Sequence, residues 1–259
     1  MSMNKSLHLP RSLRIAAASL LLSLPGSVWC EKVLIDTDFS LKGDGAEFGI
    51  SPNPTDMGEL PLKSPTNIGV NPPSTITCGA EAVGKLPPPY ARIQIESPDG
   101  QEGISSGATI RWNLKELGLE SGRYRLTYKI VPLTSGIPGG RIHVTLLGED
   151  GKPMEGHPTI IPLQVVFTKD KIQAAYNAPA EVYMENEIYE IEMTFDLDQK
   201  NWSASVNGAS LLDARPFPEN HITAPSLRIG DVSFKSQGGL GDRAGSIWAM
   251  TAVKLVKLD

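Results

Sequence analysis

The chain has 259 residues, 40% of them hydrophobic and 20% charged, and a formal net charge of −5 at pH 7. An acidic balance argues against nucleic acids and anionic membrane surfaces as partners, because both require a basic face on the protein. Two cysteines are too few for a disulfide framework, so the fold must depend on a hydrophobic core.

The first 30 residues have the pattern of a secretory signal peptide. A basic segment containing Lys5, Arg11 and Arg14 precedes a short apolar stretch at 15–24, which Pro25 interrupts. This stretch is too short for a stop-transfer helix, and no second apolar run of spanning length follows. We therefore expect a soluble product without a membrane span, located in the periplasm or outside the cell.

The fate of Cys30 has alternative interpretations. Plain cleavage after Cys30 leaves Cys78 as the remaining cysteine, whereas cleavage further upstream would allow the two to pair. A lipid anchor on Cys30 is a minor alternative, since Trp29 stands where the lipidation motif has a small residue. Removal of 1–30 leaves 21 basic and 29 acidic residues, hence a net charge of −8.

Period-two alternation of apolar and polar residues predicts strands along the whole mature chain. The predicted strands are 32–39, 91–97, 108–114, 123–131, 141–147, 163–168, 187–197, 202–207, 225–234 and 246–258. Clusters of Gly, Pro, Asn and Asp separate them, and a short helical turn is expected within 114–122. Many short strands with frequent turns predict an all-β fold, an antiparallel two-sheet sandwich or a barrel.

A segment from about 42 to 89 differs from the rest, because it is rich in Gly and Pro and shows little alternation. Loops of that length are uncommon inside compact domains. The segment is predicted to be either a wrapping insertion with short edge strands or a partly disordered one. We find no linker that would divide 31–259 into two domains.

The stretch 186–208 gives the strongest local pattern of the sequence. Apolar residues at odd positions 189–197 alternate with Glu190, Glu192, Thr194, Asp196 and Asp198. Such alternation predicts a half-buried strand with a polar outer face. The tetrad 198–201 predicts a hairpin turn, and Asn207-Gly208 predicts a second turn, because both residues tolerate positive φ.

Three segments in this order resemble the concanavalin A-like lectin/glucanase superfamily. They are "VLIDTDF" at 33–39, "YEIEMTFDLDQKNWSASVNGASLL" at 189–212 and the closing strand "SIWAMTAVKLVKL" at 246–258. The resemblance implies a jelly-roll sandwich with a concave face often used to bind glycans, and sometimes a bound calcium ion. It also implies that the closing strand pairs near the N-terminus.

The resemblance raises a catalytic alternative at Glu190 and Glu192. Laminarinase-type glucanases carry Glu-x-Asp and a further Glu on one strand, whereas here Glu192 replaces the Asp and Thr194 the later acid. A structural interpretation is that the carboxylates face a basic ladder at 123–129 on a neighbouring strand. That interpretation predicts that Arg125 lies near the acidic residues.

Other candidate ligand-binding residues are few. His143 lies on the polar face of its strand, where it lines a concave surface or forms an ordinary surface hydrogen bond. Oxygen donors for calcium occur at Asp36 and Asp38, and at 196, 198 and 201, but neither run completes a calcium loop. The tryptophans at 112, 202 and 248 are predicted to fill the core, and the tyrosines at 90, 176 and 183 are candidate sugar platforms.

We therefore predict a secreted jelly-roll module that binds polysaccharide, with Arg125, His143, Glu190 and Glu192 as candidate ligand-binding residues. The first alternative is a glycoside hydrolase or polysaccharide lyase that uses Glu190 and Glu192. The second is a structural or adhesion protein of the cell envelope without a ligand site.

Overall fold

The computed structural model describes residues 31–39, 60–71, 74–79, 81–83, 85–95, 107–134, 139–153, 163–168, 170–174, 180–237 and 246–258. The predicted signal peptide and Cys30 lie outside these ranges, whereas Cys78 is buried at 2% exposure. In the described part of the chain, the strands form two antiparallel sheets. The all-β, two-sheet prediction is confirmed.

Fifteen strands occur within the described ranges. In chain order they are β1 (Lys32–Thr37), β2 (Asn67–Asn71), β3 (Thr75–Gly79), β4 (Tyr90–Ile95), β5 (Gly107–Asn113), β6 (Arg123–Thr134), β7 (Gly140–Leu147), β8 (Leu163–Phe167), β9 (Lys171–Ala174), β10 (Ala180–Val182), β11 (Tyr189–Asp196), β12 (Asn201–Val206), β13 (Ala209–Pro216), β14 (Arg228–Gln237) and β15 (Ser246–Leu258). A 3-10 turn at Lys115–Leu117 matches the predicted helical turn, and one turn of α-helix spans Glu219–Ile222. Neither helix in this described part is long enough to cross a bilayer.

The first sheet has the order β13-β12-β11-β6-β15-β4-β3, and the second has the order β10-β9-β8-β7-β14-β5-β2. Strand β15 is the longest, and β6 pairs along most of one side of it. On its other side, β4 pairs with Ser246–Met250 and β1 with the C-terminal half. This arrangement confirms that the closing strand pairs with the start of the domain.

The predicted alternation places large aromatic side chains between the two sheets. Trp112 and Trp248 are fully buried and Trp202 is 2% exposed, as predicted. The indole N–H of Trp112 donates to Thr37 Oγ1 at 3.0 Å, so its polar atom keeps a partner in the core. Phe195 stacks on Tyr124 with ring centroids 5.4 Å apart, and burial of a side chain of this size contributes about 1.5–3 kcal/mol.

Strands β2 and β3 come from the Gly/Pro-rich segment and form one edge of each sheet. The segment therefore contains short edge strands, while its role as an insertion stays a prediction; residues 42–59, 72–73, 80 and 84 of it lie outside the described ranges. The other unpredicted strands, β9, β10 and β13, are short or largely exposed. An exposed edge strand has no buried side to impose alternation, so its sequence carries little signal.

Candidate functional site

The outer face of the first sheet carries the acidic ladder of β11. Glu190, Glu192 and Asp196 are partly or fully exposed there, while the odd positions between them are buried. Strand β6 lies directly beside β11, with Lys129 opposite Glu190. The prediction that the acidic and basic ladders occupy neighbouring strands is therefore confirmed.

The charges on this face neutralise one another in pairs. Lys129 Nζ lies 3.3 Å from Glu190 Oε2, and both side chains are half exposed. Arg125 lies opposite Thr194, and its guanidinium donates to Glu31 Oε1 at 2.7 Å. The ion pair of Arg125 thus involves Glu31 on the chain before β1 instead of a carboxylate of the ladder.

Glu190 and Glu192 follow one another on the same side of β11, which places their backbones about 7 Å apart. The pairing of Glu190 with Lys129 occupies one of the two carboxylates. Glu192 faces Thr127 on one side and Ser205 on the other. Their use as a catalytic pair stays a prediction.

Three of the candidate calcium donors, Asp36, Asp196 and Asp198, have hydrogen-bond or ion-pair partners within the protein. Asp196 Oδ1 accepts the backbone N–H groups of Asp198 and Gln199 at 2.9 and 2.7 Å. Asp198 Oδ2 accepts the N–H of Gly122 at 2.9 Å, and Asp36 forms an ion pair with Lys63. Over the described residues, no group of three or more His, Cys, Asp or Glu side chains could hold a metal ion. These donors do not fit a calcium site.

The outer face of the second sheet carries a row of polar residues that crosses five strands. Strand registers place side chains in line from β8 to β2, in the order Gln164, His143, Ser233, Arg111 and Asn67. A parallel row contains Arg141, Lys235, Thr109 and Gly69. Directly opposite residues on adjacent strands share one face of the sheet. His143 on β7 is therefore in line with Ser233 on β14, which is 90 residues away in the chain.

We use the name basic cluster for Arg111, Arg141, His143, Asp231, Ser233 and Lys235. His143 is 2% exposed and Ser233 is fully buried, whereas the side chain of Arg111 is 40% exposed. Buried polar groups on an outer face are unusual, because such groups are normally hydrated there. The cluster thus has a shielded centre with charged groups around it.

The hydrogen bonds define which ring nitrogen of His143 carries the proton. Ser233 Oγ donates to Asp231 Oδ1 at 3.1 Å and lies 3.0 Å from His143 Nε2. A hydroxyl has one proton, so Ser233 must accept from Nε2–H once it donates to Asp231. Within the described ranges, Nδ1 of His143 has no hydrogen-bond partner, which leaves a buried acceptor without a donor.

The surroundings keep His143 neutral. Burial, followed by the charges of Lys235, Arg141 and Arg111, lowers the pKa of His143 from 6.5 to about 3. Burial and the nearby Arg111 also lower the pKa of Lys235. Asp231 offsets part of the positive charge, with its Oδ1 atom 3.8 Å from Nε of Arg111. The cluster retains more positive than negative groups.

A groove of about 300 Å³ opens beside the basic cluster and is lined by Gly69, Asn71, Gly107, Ala108, Thr109, Arg111, Lys235 and Ser236. A second groove, of about 380 Å³, lies over β3 and β4 on the first sheet, where its lining includes Arg92 and Glu81. Only the groove on the second sheet combines two cations with a neighbouring buried acceptor. It is the better candidate for a ligand site among the residues described.

Of the predicted site residues, the second sheet contains His143 alone, while Arg125, Glu190 and Glu192 lie on the first sheet. His143 is hydrogen-bonded as expected, but buried. The sequence analysis missed Arg111, Ser233 and Lys235. Their signal was present in the polar positions of β5 and β14, where Arg111 alternates with Ile110 and Trp112. Of the candidate sugar platforms, Tyr90 and Tyr183 are buried, so that prediction is wrong for both, and Tyr176 lies outside the described residues.

Comparison of the whole fold with solved structures gives matches at low sequence identity. An endo-β-1,4-glucuronan lyase from the fungus Trichoderma reesei matches with a TM-score of 0.50 and 8% identity, over 76% of this chain and 92% of that one. A structure described under endo-acting O-glycanases of the human gut microbiota matches with a TM-score of 0.49 and 10% identity, over 88% of this chain and 100% of that one. A sialidase matches with a TM-score of 0.47 and 11% identity, over 82% of this chain but 18% of the sialidase.

No protein-family model matches the sequence, and no curated protein matches it. The chain spans less than a fifth of the length of the sialidase. The likenesses therefore concern the fold alone: this chain has a two-sheet antiparallel β-sandwich with a lectin/glucanase-like fold.

Proposed function

We propose that the protein is an exported polysaccharide-binding module whose binding surface is the outer face of the second sheet. The observation that carries the proposal is the buried His143–Ser233 pair beside a groove of about 300 Å³. Glycan sites need fixed polar groups at the edge of a groove, because these orient the sugar hydroxyls. The fold supports this, since a lyase acting on glucuronan has the same architecture.

The donors of Arg111 and Lys235 line the groove and suit the oxygen atoms of a sugar. His143 is 2% exposed, so it stays below the binding surface, where its Nε2 lies 3.0 Å from the Ser233 hydroxyl. Gln164 lies opposite His143 on β8 and offers both an amide donor and an acceptor. Export is supported by the basic and apolar segments of 1–30.

Gly69 allows a steric test of the proposed surface. A Cβ atom at Gly69 would meet no atom of the described residues within 4 Å, so a side chain can begin there without a clash. We expect Gly69→Leu to fill part of the groove and lower binding at least about tenfold, a change equivalent to about 1.4 kcal/mol. The matched control is Ser205→Leu on the outer face of the first sheet.

The measurement is affinity electrophoresis against a broad panel of neutral and acidic polysaccharides. Retardation that Gly69→Leu reduces and Ser205→Leu does not would support the proposal. Absence of retardation by every polysaccharide would overturn the binding function. Equal loss in both variants would place the surface elsewhere.

A further inference from the structure

The basic cluster contains three cationic side chains and one carboxylate, so its positive charge is not neutralised by its own residues. Arg111, Arg141 and Lys235 surround a neutral histidine, and Asp231 is the one carboxylate within the cluster. Arg111 reaches that carboxylate at 3.8 Å, beyond hydrogen-bond range, and its Nε atom has no hydrogen-bond partner among the described residues. The cations are therefore incompletely paired by the residues that the structure describes.

The repulsion between these cations is a cost in the free protein. The charges of Arg111 and Arg141 both act against the charged form of Lys235 and contribute to its lowered pKa. A structural role would favour pairing each cation with a carboxylate, as happens for Lys129 and Glu190 on the first sheet. An incoming anion would relieve the repulsion and supply the missing partners.

The overall charge of the protein sharpens the argument. The chain carries 29 acidic and 24 basic residues, so its average field repels an anionic polymer. A polymer of that kind can bind only where positive charge is concentrated locally. Among the described residues, those that line the groove beside the basic cluster include Arg111 and Lys235 and no acidic side chain.

We infer that the polysaccharide bound at the basic cluster is anionic, with carboxylate or sulfate groups that pair with Arg111, Arg141 and Lys235. This inference rests on the proposed function and adds the ligand class to it. A carboxylate group is planar and a sulfate group is tetrahedral. The oxygen atoms of both accept hydrogen bonds from guanidinium and ammonium groups.

Matched ligands separate the two sources of negative charge. Polygalacturonate is compared with the same polymer after reduction of its carboxyl groups, and dextran sulfate is compared with dextran. We expect retention of at least one charged polymer with at least tenfold weaker retention of its neutral partner. Preference for polygalacturonate identifies uronates, and preference for dextran sulfate identifies sulfate esters.

Matched variants show whether the charge effect belongs to the cluster. Lys235→Gln is expected to weaken binding of the charged polymer about tenfold or more, because it removes a charge-assisted hydrogen bond. Lys254→Gln removes the same charge from the outer face of the first sheet and should change binding less than twofold. Added salt should weaken the binding of the charged polymer as well.

The outcomes distinguish the two proposals. Equal retention of charged and neutral polymers, lost in Gly69→Leu, would overturn the anionic ligand and leave polysaccharide binding in place. Equal weakening by Lys235→Gln and Lys254→Gln would overturn the assignment to the basic cluster, because the effect would then follow net charge. Retention of no polymer at all would overturn both proposals.

Discussion

The outer faces of the two sheets show the same alternation of polar and apolar residues but differ in how their charged side chains are paired. On the first sheet, cations face carboxylates, as in the pairs Lys129–Glu190 and Arg125–Glu31. On the second sheet, Arg141 and Lys235 lie directly opposite one another, next to a buried His143. Like charges directly opposite in a sheet are destabilising. The difference is consistent with the proposal that the second face, and not the first, binds an anionic partner.

The largest expected effect concerns the titration of His143. Its pKa falls from 6.5 in the unfolded chain to about 3 in the fold, since burial and the charges of Lys235, Arg141 and Arg111 disfavour the imidazolium. The unfolded state therefore takes up a proton between these values while the native state does not. The contribution of neutral His143 to the free energy of unfolding is fully present above pH 6.5 and is lost as the pH falls toward 3, on the order of 5 kcal/mol in all.

Urea denaturation of the wild type and of His143→Gln between pH 7 and pH 3 measures this effect. Glutamine keeps a polar group near Ser233 and does not titrate. We expect the difference in unfolding free energy to change by up to about 1.4 kcal/mol per pH unit across the window. Asp231, the carboxylate of the cluster, is present in both proteins, so its titration cancels in the difference. Parallel pH profiles would show that His143 does not titrate abnormally.

The next effect is the cost of emptying the centre of the basic cluster. His143→Ala removes a buried ring and its hydrogen bond to Ser233, and we expect a loss of about 2–3 kcal/mol in unfolding free energy. The matched control is Thr127→Ala on the first sheet, which should change stability by less than about 0.5 kcal/mol. Similar small losses in both variants would mean that His143 does not support the fold.

The sequence predicts which residues share a sheet face only where the paired strands are close together in the chain. The pairing of β11 with β12 and the turn at Asn207 and Gly208, with φ of 48° and 80°, follow from adjacent residues. The row from His143 to Arg111 requires β14 to lie between β7 and β5. That order is set by contacts between residues about 90 to 120 positions apart in the chain, which period-two alternation does not encode.

Burial on an outer face is a further limit on prediction from sequence. The alternation of β7 correctly places His143 on the outer side, with Ile142 and Val144 inside. Alternation alone then predicts an exposed residue, whereas His143 is 2% exposed. Shielding comes from neighbours on other strands, so it is visible only in three dimensions. The catalytic hypothesis for Glu190 and Glu192, in contrast, could be formed from the sequence because both carboxylates lie on one strand.

The third effect is the loss of affinity when a negative charge is added to the groove and every cation is kept. Gly69→Glu and Gly69→Gln add side chains of equal size beside Thr109, where a Cβ meets open space. We expect the glutamate variant to bind an anionic polysaccharide at least about tenfold more weakly, a change of about 1.4 kcal/mol, because its carboxylate competes for Arg111 and Lys235. Affinity electrophoresis at low salt measures the ratio. Equal binding by the two variants would contradict an anionic ligand.

The smallest effect belongs to the paired face. Lys129 and Glu190 are both half exposed, so water and salt screen their interaction. A double-mutant cycle with Lys129→Ala and Glu190→Ala should give a coupling free energy below about 1 kcal/mol, falling further in 0.5 M salt, a concentration at which the Debye length is only about 4 Å. A coupling of several kcal/mol would reverse the contrast between the faces. It would mean that the ladder is a preorganised carboxylate site, and the catalytic hypothesis for Glu190 and Glu192 would gain support.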